Sequence, residues 1–107
     1  MAMDEKIVEI AMELIVGAGG AKSSAMEAIR LAKEGKFADA DEALKSADEM
    51  LIGAHRIQTD LIQRTARGEE IEVGLLMVHA QDHLMTGILA KDLAREIVDL
   101  HRKIDEK

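Results

Sequence analysis

The sequence predicts an all-α chain, folded as an antiparallel three-helix bundle in one domain, 1–107. Three observations predict it. Proline is absent over the whole length, so nothing interrupts long helices. Ala, Leu, Ile, Met, Glu and Lys dominate, and most of these are good helix formers. Gly35 and Gly68 are flanked by polar residues on both sides, and each follows a charged stretch of the kind that ends a helix. They divide the chain into segments at about 3–34, 37–66 and 72–104. The length of 107 residues suits one domain and is too short for two.

The first segment carries Ile7, Ala11, Leu14, Ala18, Ala21, Ala25, Ala28 and Ala32 at alternating spacings of four and three, the pattern of a bundle seam. Gly17, Gly19 and Gly20 lie inside it, where glycine is costly. They suit close packing of helices or the approach of another group. The second segment repeats the seam at Ala40, Leu44, Ala47, Leu51, Ala54, Gln58, Leu61 and Thr65. So many alanines imply closely approaching helices. Gln58, within that seam, is expected to make a buried hydrogen bond, and His55 one turn earlier a structural contact.

The third segment is greasier. At about 100° per residue, Leu75, His79, Asp82, Thr86, Leu89, Leu93, Ile97, Leu100 and Ile104 fall on one stripe. From Leu89 onward the helix reads as amphipathic, with Lys91, Asp92, Arg95, Asp99 and Arg102 off the stripe. Before it, Leu76, Met77, Ala80, Leu84, Met85 and Ile88 surround the stripe with apolar surface. A helix apolar all round must be covered all round. Two partner helices cover only part of it, so a further copy of the same chain is expected against it. Leu75, Leu76, Met77 and Met85 form an apolar rim suited either to core packing or to transient partners. The basic run His101-Arg102-Lys103 reads as a helix end matched to its dipole.

Composition excludes several functions. Lys plus Arg is 14 and Asp plus Glu is 21, a net charge of −7 that repels phosphate backbones and anionic membranes. One Phe and no Trp or Tyr cannot build a stacking platform for nucleic acid. With no Cys, there are no disulfides, thiolate metal sites or cysteine nucleophiles. No stretch approaches the ~20 apolar residues of a membrane span, and the acidic start, Met-Ala-Met-Asp-Glu-Lys, lacks a signal pattern. A cytoplasmic protein with no direct membrane insertion is expected.

Polar residues interrupt the stripe within Val78-His79-Ala80-Gln81-Asp82-His83-Leu84-Met85-Thr86. His79, Asp82 and His83 stand at i, i+3 and i+4, on one helix face. A buried carboxylate needs a charge partner, a metal or water. Three readings fit this spacing. One is a satisfied polar cluster between helices. Another is a metal site on two histidines four apart, although Ala80 stands where a zinc protease needs Glu, and the best third ligand is the distant His55. The last is nucleophilic histidine chemistry, available to a neutral imidazole near pH 7.

His79-Ala80-Gln81-Asp82-His83-Leu84-Met85-Thr86 resembles the phosphorylation-site signature of the lactose/cellobiose-type enzyme IIA subunits of the bacterial phosphotransferase system. The likeness extends to Gly35-Lys36-Phe37-Ala38, to Ala54-His55-Arg56-Ile57-Gln58-Thr59 and to Leu100-His101-Arg102-Lys103, so it covers nearly the whole chain. Ala80 and the His101 ending look more like the cellobiose/diacetylchitobiose branch. The chain departs at Gly19-Gly20-Ala21-Lys22-Ser23, where relatives tend to carry Gly-Asp/Gln-Ala-Arg-Ser.

The resemblance implies a homotrimer, a nine-helix bundle assembled through the third helix. His79 matches the phosphoacceptor, which takes phosphate from HPr and passes it to the IIB component for uptake of a β-linked disaccharide. Asp82 matches the carboxylate that meets its copies around one divalent metal per trimer, magnesium by expectation. His83, one turn from His79, and Gln81 are candidate donors to the phosphoryl oxygens. On the helical wheel Gln81 lies far round from His79, so it is expected to face a partner or a neighbouring copy. The rival reading is a non-catalytic helical metal-binding adaptor.

Overall fold

The computed structural model describes residues 5–107, which form three helices: α1 Glu5–Lys33, α2 Phe37–Ala66 and α3 Leu75–Asp105. Residues 3 and 4 of the expected first segment lie outside the described residues. The third helix starts later than expected, because residues 71–74 are not helical and Gly74 opens α3 in extended backbone.

Both turns are built by glycine. Gly35 has φ +77° and Gly68 φ +93°, a region that favours residues without a Cβ. At the end of α1 the Gly35 amide donates to the Ala32 carbonyl and the Lys36 amide to the Leu31 carbonyl. At the end of α2 the Gly68 amide donates to Thr65 and the Glu69 amide to Arg64. Each pair is a Schellman closure, which satisfies the last carbonyls of a helix.

All eight seam residues read in α1 are buried. In α2 six of the eight are buried, while Gln58 is half-buried and Thr65 is exposed, its hydroxyl donating to the Leu61 carbonyl. The core has two parts. One joins Ile7 to Ala21 of α1 with Ala47 to Leu61 of α2 and with Met77, Ala80 and Leu84 of α3. The other joins Ala25, Ala28 and Ala32 with Ala40, Leu44, Ala94 and Val98. The N-terminal halves of α1 and α3 therefore lie together, as do their C-terminal halves. α2 runs against both, and α1 packs along each of the other two more extensively than they pack on each other.

The stripe predicted on α3 is corrected by this packing. The residues that meet α1 and α2 are Met77, Ala80, Leu84, Gly87, Ala94 and Val98. Leu75, Leu89, Leu93, Leu100 and Ile104 point away and are 54–86% exposed. On the wheel the two rows lie on nearly opposite sides, about 150° apart. The inward row is small-residue rich, so a search weighted by hydropathy finds the outward one. The half-helix after Leu89 also differs from its amphipathic reading. Its charged flank lies beside the core, where Lys91 and Arg95 reach Asp48 at 3.1 and 2.7 Å and Arg102 grips Asp41 at 2.8 and 2.9 Å. Arg102 also lies over the Phe37 ring, 5.4 Å from its centre, so this basic residue docks within the chain.

Candidate functional site

The site lies on α3 where it faces α1. Gly87 lets these helices close: a Cβ there would stand 3.2 Å from the Ala18 carbonyl oxygen and 3.4 Å from Leu51. One turn earlier on α3, His83 sits at the edge of this contact, half-buried. Lys22 borders the α1 seam beside Ala21. Since α1 and α3 run parallel, its side chain passes over the flank of the contact to His83, with Nζ 3.2 Å from Nδ1.

His79, one turn before His83, is exposed. The two rings are nearly perpendicular, at 88° with centres 4.5 Å apart, and their Nε2 atoms are 3.1 Å apart. A chain of polar contacts thus runs from Lys22 through His83 to His79. His83 is held below the ordinary histidine range. Desolvation beside α1 is the main cause; the Lys22 ammonium and the His79 ring add to it, and Asp82 opposes it. A depressed ring stays neutral more of the time, which leaves it one N–H donor and one lone pair.

The other candidates separate into two groups. Asp82 is exposed on the outward stripe, below the hydroxyl of Thr86, which donates to the Asp82 backbone carbonyl at 2.6 Å. Gln81, expected to face a partner or a neighbouring copy, is half-buried beside α2 and lines an open groove. It accepts from Gln58 Nε2 at 2.7 Å, and its own amide nitrogen lies 3.5 Å from the Met77 sulfur. The hydrogen bond expected of Gln58 is this one. The expected rim also divides: Met77 is buried at 4% exposure, Leu76 is half-buried, and Leu75 and Met85 are exposed.

His55 is exposed on α2 and lines a separate shallow groove with Asp48, Arg56 and Lys91. Among the described residues no three His, Asp or Glu side chains of one chain gather as a metal-holding group, so the set His79, His83 and His55 does not form. Gly17 and Gly20 face Met50 and Ala54 of α2, whereas a Cβ on Gly19 would meet nothing within 4 Å. Gly17 and Gly20 therefore serve packing on α2, while Gly19 lies in open space.

An open apolar groove of about 1150 Å³ runs alongside, lined by Gln58, Leu61, Ile62, Met77, Val78 and Gln81 among others, and Asp82 borders it. Lys22 is the site residue that sequence reasoning missed. It lies 61 positions from His83 and off the apolar seam, so only the register of α1 on α3 brings it into place.

The chain is similar to known proteins over nearly its whole length. Residues 9–102 match the profile of the PTS system lactose/cellobiose-specific IIA subunit. The chain is 49% identical over 105 residues to the lichenan-specific phosphotransferase enzyme IIA component of Bacillus subtilis (strain 168), covering 98% of this chain and 96% of that protein. It superposes on the crystal structure of the PTS cellobiose-specific enzyme IIA from Bacillus anthracis with TM-score 0.93 and 48% identity, over 100% of this chain and 96% of that one. The IIA(chitobiose) chain in the solution structures of its HPr complex, from the N,N'-diacetylchitobiose branch of the Escherichia coli phosphotransferase system, matches with TM-score 0.80 and 39% identity, covering 97% and 99%. With a helical bundle of the same shape and sequence likeness along nearly its whole length, the chain belongs to the lactose/cellobiose-specific IIA subunit family of the phosphotransferase system.

Proposed function

We propose that His79 is the phosphoacceptor of this IIA component, receiving phosphate from an HPr-like carrier and delivering it to a IIB component for uptake of a β-linked disaccharide, in the cytoplasm. The observation that carries this reading is the exposed His79 ring, backed by His83 at 3.1 Å and open to a docking protein. A neutral ring nitrogen of His79 attacks the phosphorus in line. The nitrogen–phosphorus bond to the donor opens, and its electron pair stays on the donor. The acquired group carries nearly two negative charges. The remaining N–H of His83 is within reach to donate to its oxygens. The chain positions rather than activates, since both proteins contribute a ready nucleophile or leaving group.

The outward face of α3 supports a homotrimer. Leu75, Leu89, Leu93, Leu100 and Ile104 expose an apolar row along the helix, which three copies would cover against one another. Asp82 lies in that row. One carboxylate per copy, converging on a common axis, is an all-oxygen donor set that suits a hard divalent cation such as magnesium. Asp82 would hold the ion, which would supply positive charge to an otherwise repelling cluster.

The test is phosphotransfer from phosphoenolpyruvate through enzyme I and HPr. The wild type is expected to gain one acid-labile phosphate on the peptide containing His79, and His79→Gln none. Full uptake by His79→Gln refutes the assignment. Metal uptake with no labelling would favour the adaptor reading instead.

A further inference from the structure

The hydrogen-bonding capacity of the chain from Lys22 to His79 fixes where each proton sits. A lysine ammonium has three donors and no acceptor. At 3.2 Å from Lys22 Nζ, His83 Nδ1 must therefore be the acceptor. A neutral imidazole carries one proton, so that of His83 is on Nε2. This N–H points at His79 Nε2, 3.1 Å away, which must then accept. The His79 proton is consequently on Nδ1, and the one lone pair of Nε2 accepts from His83 until phosphorus takes its place. The opposite arrangement, with the proton on His83 Nδ1, would set an N–H against an ammonium.

We propose that Lys22 is a positioning residue for phosphoryl transfer: its ammonium holds His83 in the Nε2–H tautomer, which in turn presents the lone pair of His79 Nε2 as the nucleophile. This rests on His79 being the phosphoacceptor. When the Nε2 lone pair forms the bond to phosphorus, the donor's nitrogen–phosphorus bond breaks and the electron pair returns to the donor nitrogen. The His79 proton stays on Nδ1 during transfer. The His83 N–H loses its acceptor at the same moment and moves to a phosphoryl oxygen, so one donor serves both the free and the phosphorylated ring. Lys22 makes no contact with His79. It acts through His83, and it comes from another helix, so the state of the site depends on the α1–α3 register.

The closing experiment reads tautomers before it reads chemistry. Full-length protein labelled with ¹⁵N-histidine is compared with Lys22→Met and Lys22→Arg by long-range proton–nitrogen correlation, about two pH units above the ordinary histidine value of ~6.5 so that both rings are neutral. The wild type is expected to show His83 as Nε2–H and His79 as Nδ1–H. Lys22→Met keeps an unbranched stem but has no donor, and is expected to shift His83 towards a mixture. Lys22→Arg, again all donors, restores the wild-type pattern. In phosphotransfer, Lys22→Met is expected to be roughly tenfold slower or more, the loss of one charge-assisted hydrogen bond, and Lys22→Arg close to wild type. A wild-type His83 in the Nδ1–H form, an unchanged tautomer in Lys22→Met, or an undiminished rate would each overturn the proposal. None of these results touches the His79 assignment, which Gln substitution tests separately, and the tautomers are measured with no phosphate present.

Discussion

The inward and outward faces of α3 share one helix and nearly one period, yet they obey different rules. The inward face is built from Ala80, Gly87 and Ala94 with a few larger residues, Met77, Leu84 and Val98, and it is closed within the chain. The outward face carries Leu75, Leu89, Leu93, Leu100 and Ile104, and among the described residues no other helix covers it. Small residues let α1 approach until backbone meets backbone, as Gly87 meets Ala18. Large ones leave an exposed apolar row, which the proposed trimer would cover. The contrast teaches that the greasiest stripe of a helix need not be the one that folds its own chain. The histidines sit between the two regimes, His83 tucked at the inner edge and His79 at the outer.

Substitutions on the outward face are expected to have the largest effect, on assembly alone. Leu93→Asp with Leu100→Asp should convert a sedimenting trimer into monomers with helix content unchanged, because each buried leucine contributes about 1.5–3 kcal/mol and each new carboxylate would be buried unpaired. Loss of helix content without dissociation would show that this face belongs to the single chain's core. Asp82→Leu, in the same row, should leave the trimer intact or firmer, since apolar packing substitutes well for buried charge.

The inward face should respond in the opposite way. Leu84→Ala, at a fully buried position, is expected to cost about 3 kcal/mol in denaturant unfolding. A change well below ~1 kcal/mol would mean that the α1–α3 contact is looser than its geometry.

At the boundary, His83 should titrate below the ordinary histidine value of ~6.5 in an NMR titration. The sign follows from linkage. As pH falls below that value, the unfolded chain takes up the proton before the folded one, so the folded state loses stability through this window and is unaffected above it. Lys22→Met should raise the midpoint. A midpoint at or above ~6.5 in the wild type would place His83 outside the desolvated contact.

The smallest effects are expected at two glycines of opposite surroundings. Gly19→Ala enters open space and should gain up to about 1 kcal/mol from helix propensity alone. At Gly87 the Ala18 carbonyl must yield to the new Cβ, and backbone does not yield easily, so alanine should cost about 1 kcal/mol despite its better propensity.

Much of this architecture is legible in the residues. The two turns follow from Gly35 and Gly68, because a left-handed turn after a polar helix end is a local need that only a residue without Cβ meets cheaply. The seams of α1 and most of α2 follow from a spacing of four and three, since a straight helix shows its partner one row of residues. The pairing of His79 with His83 is local as well, being a matter of one helical turn.

What needed the tertiary structure has a common cause. α3 carries two apolar rows, and hydropathy ranks them by side-chain size, whereas packing against α1 selects the row that permits the closest approach. Gln81 could face outward or inward on the wheel, and only the position of Gln58 on α2 draws it inward. Lys22 reads as a solvated cation until the register of two parallel helices sets it on His83. Chain-local periodicity thus fixed the helices and the histidine pair. The partner of the inward face, and with it the Lys22–His83 contact at the site, came from contacts between residues far apart in sequence, which no local pattern encodes.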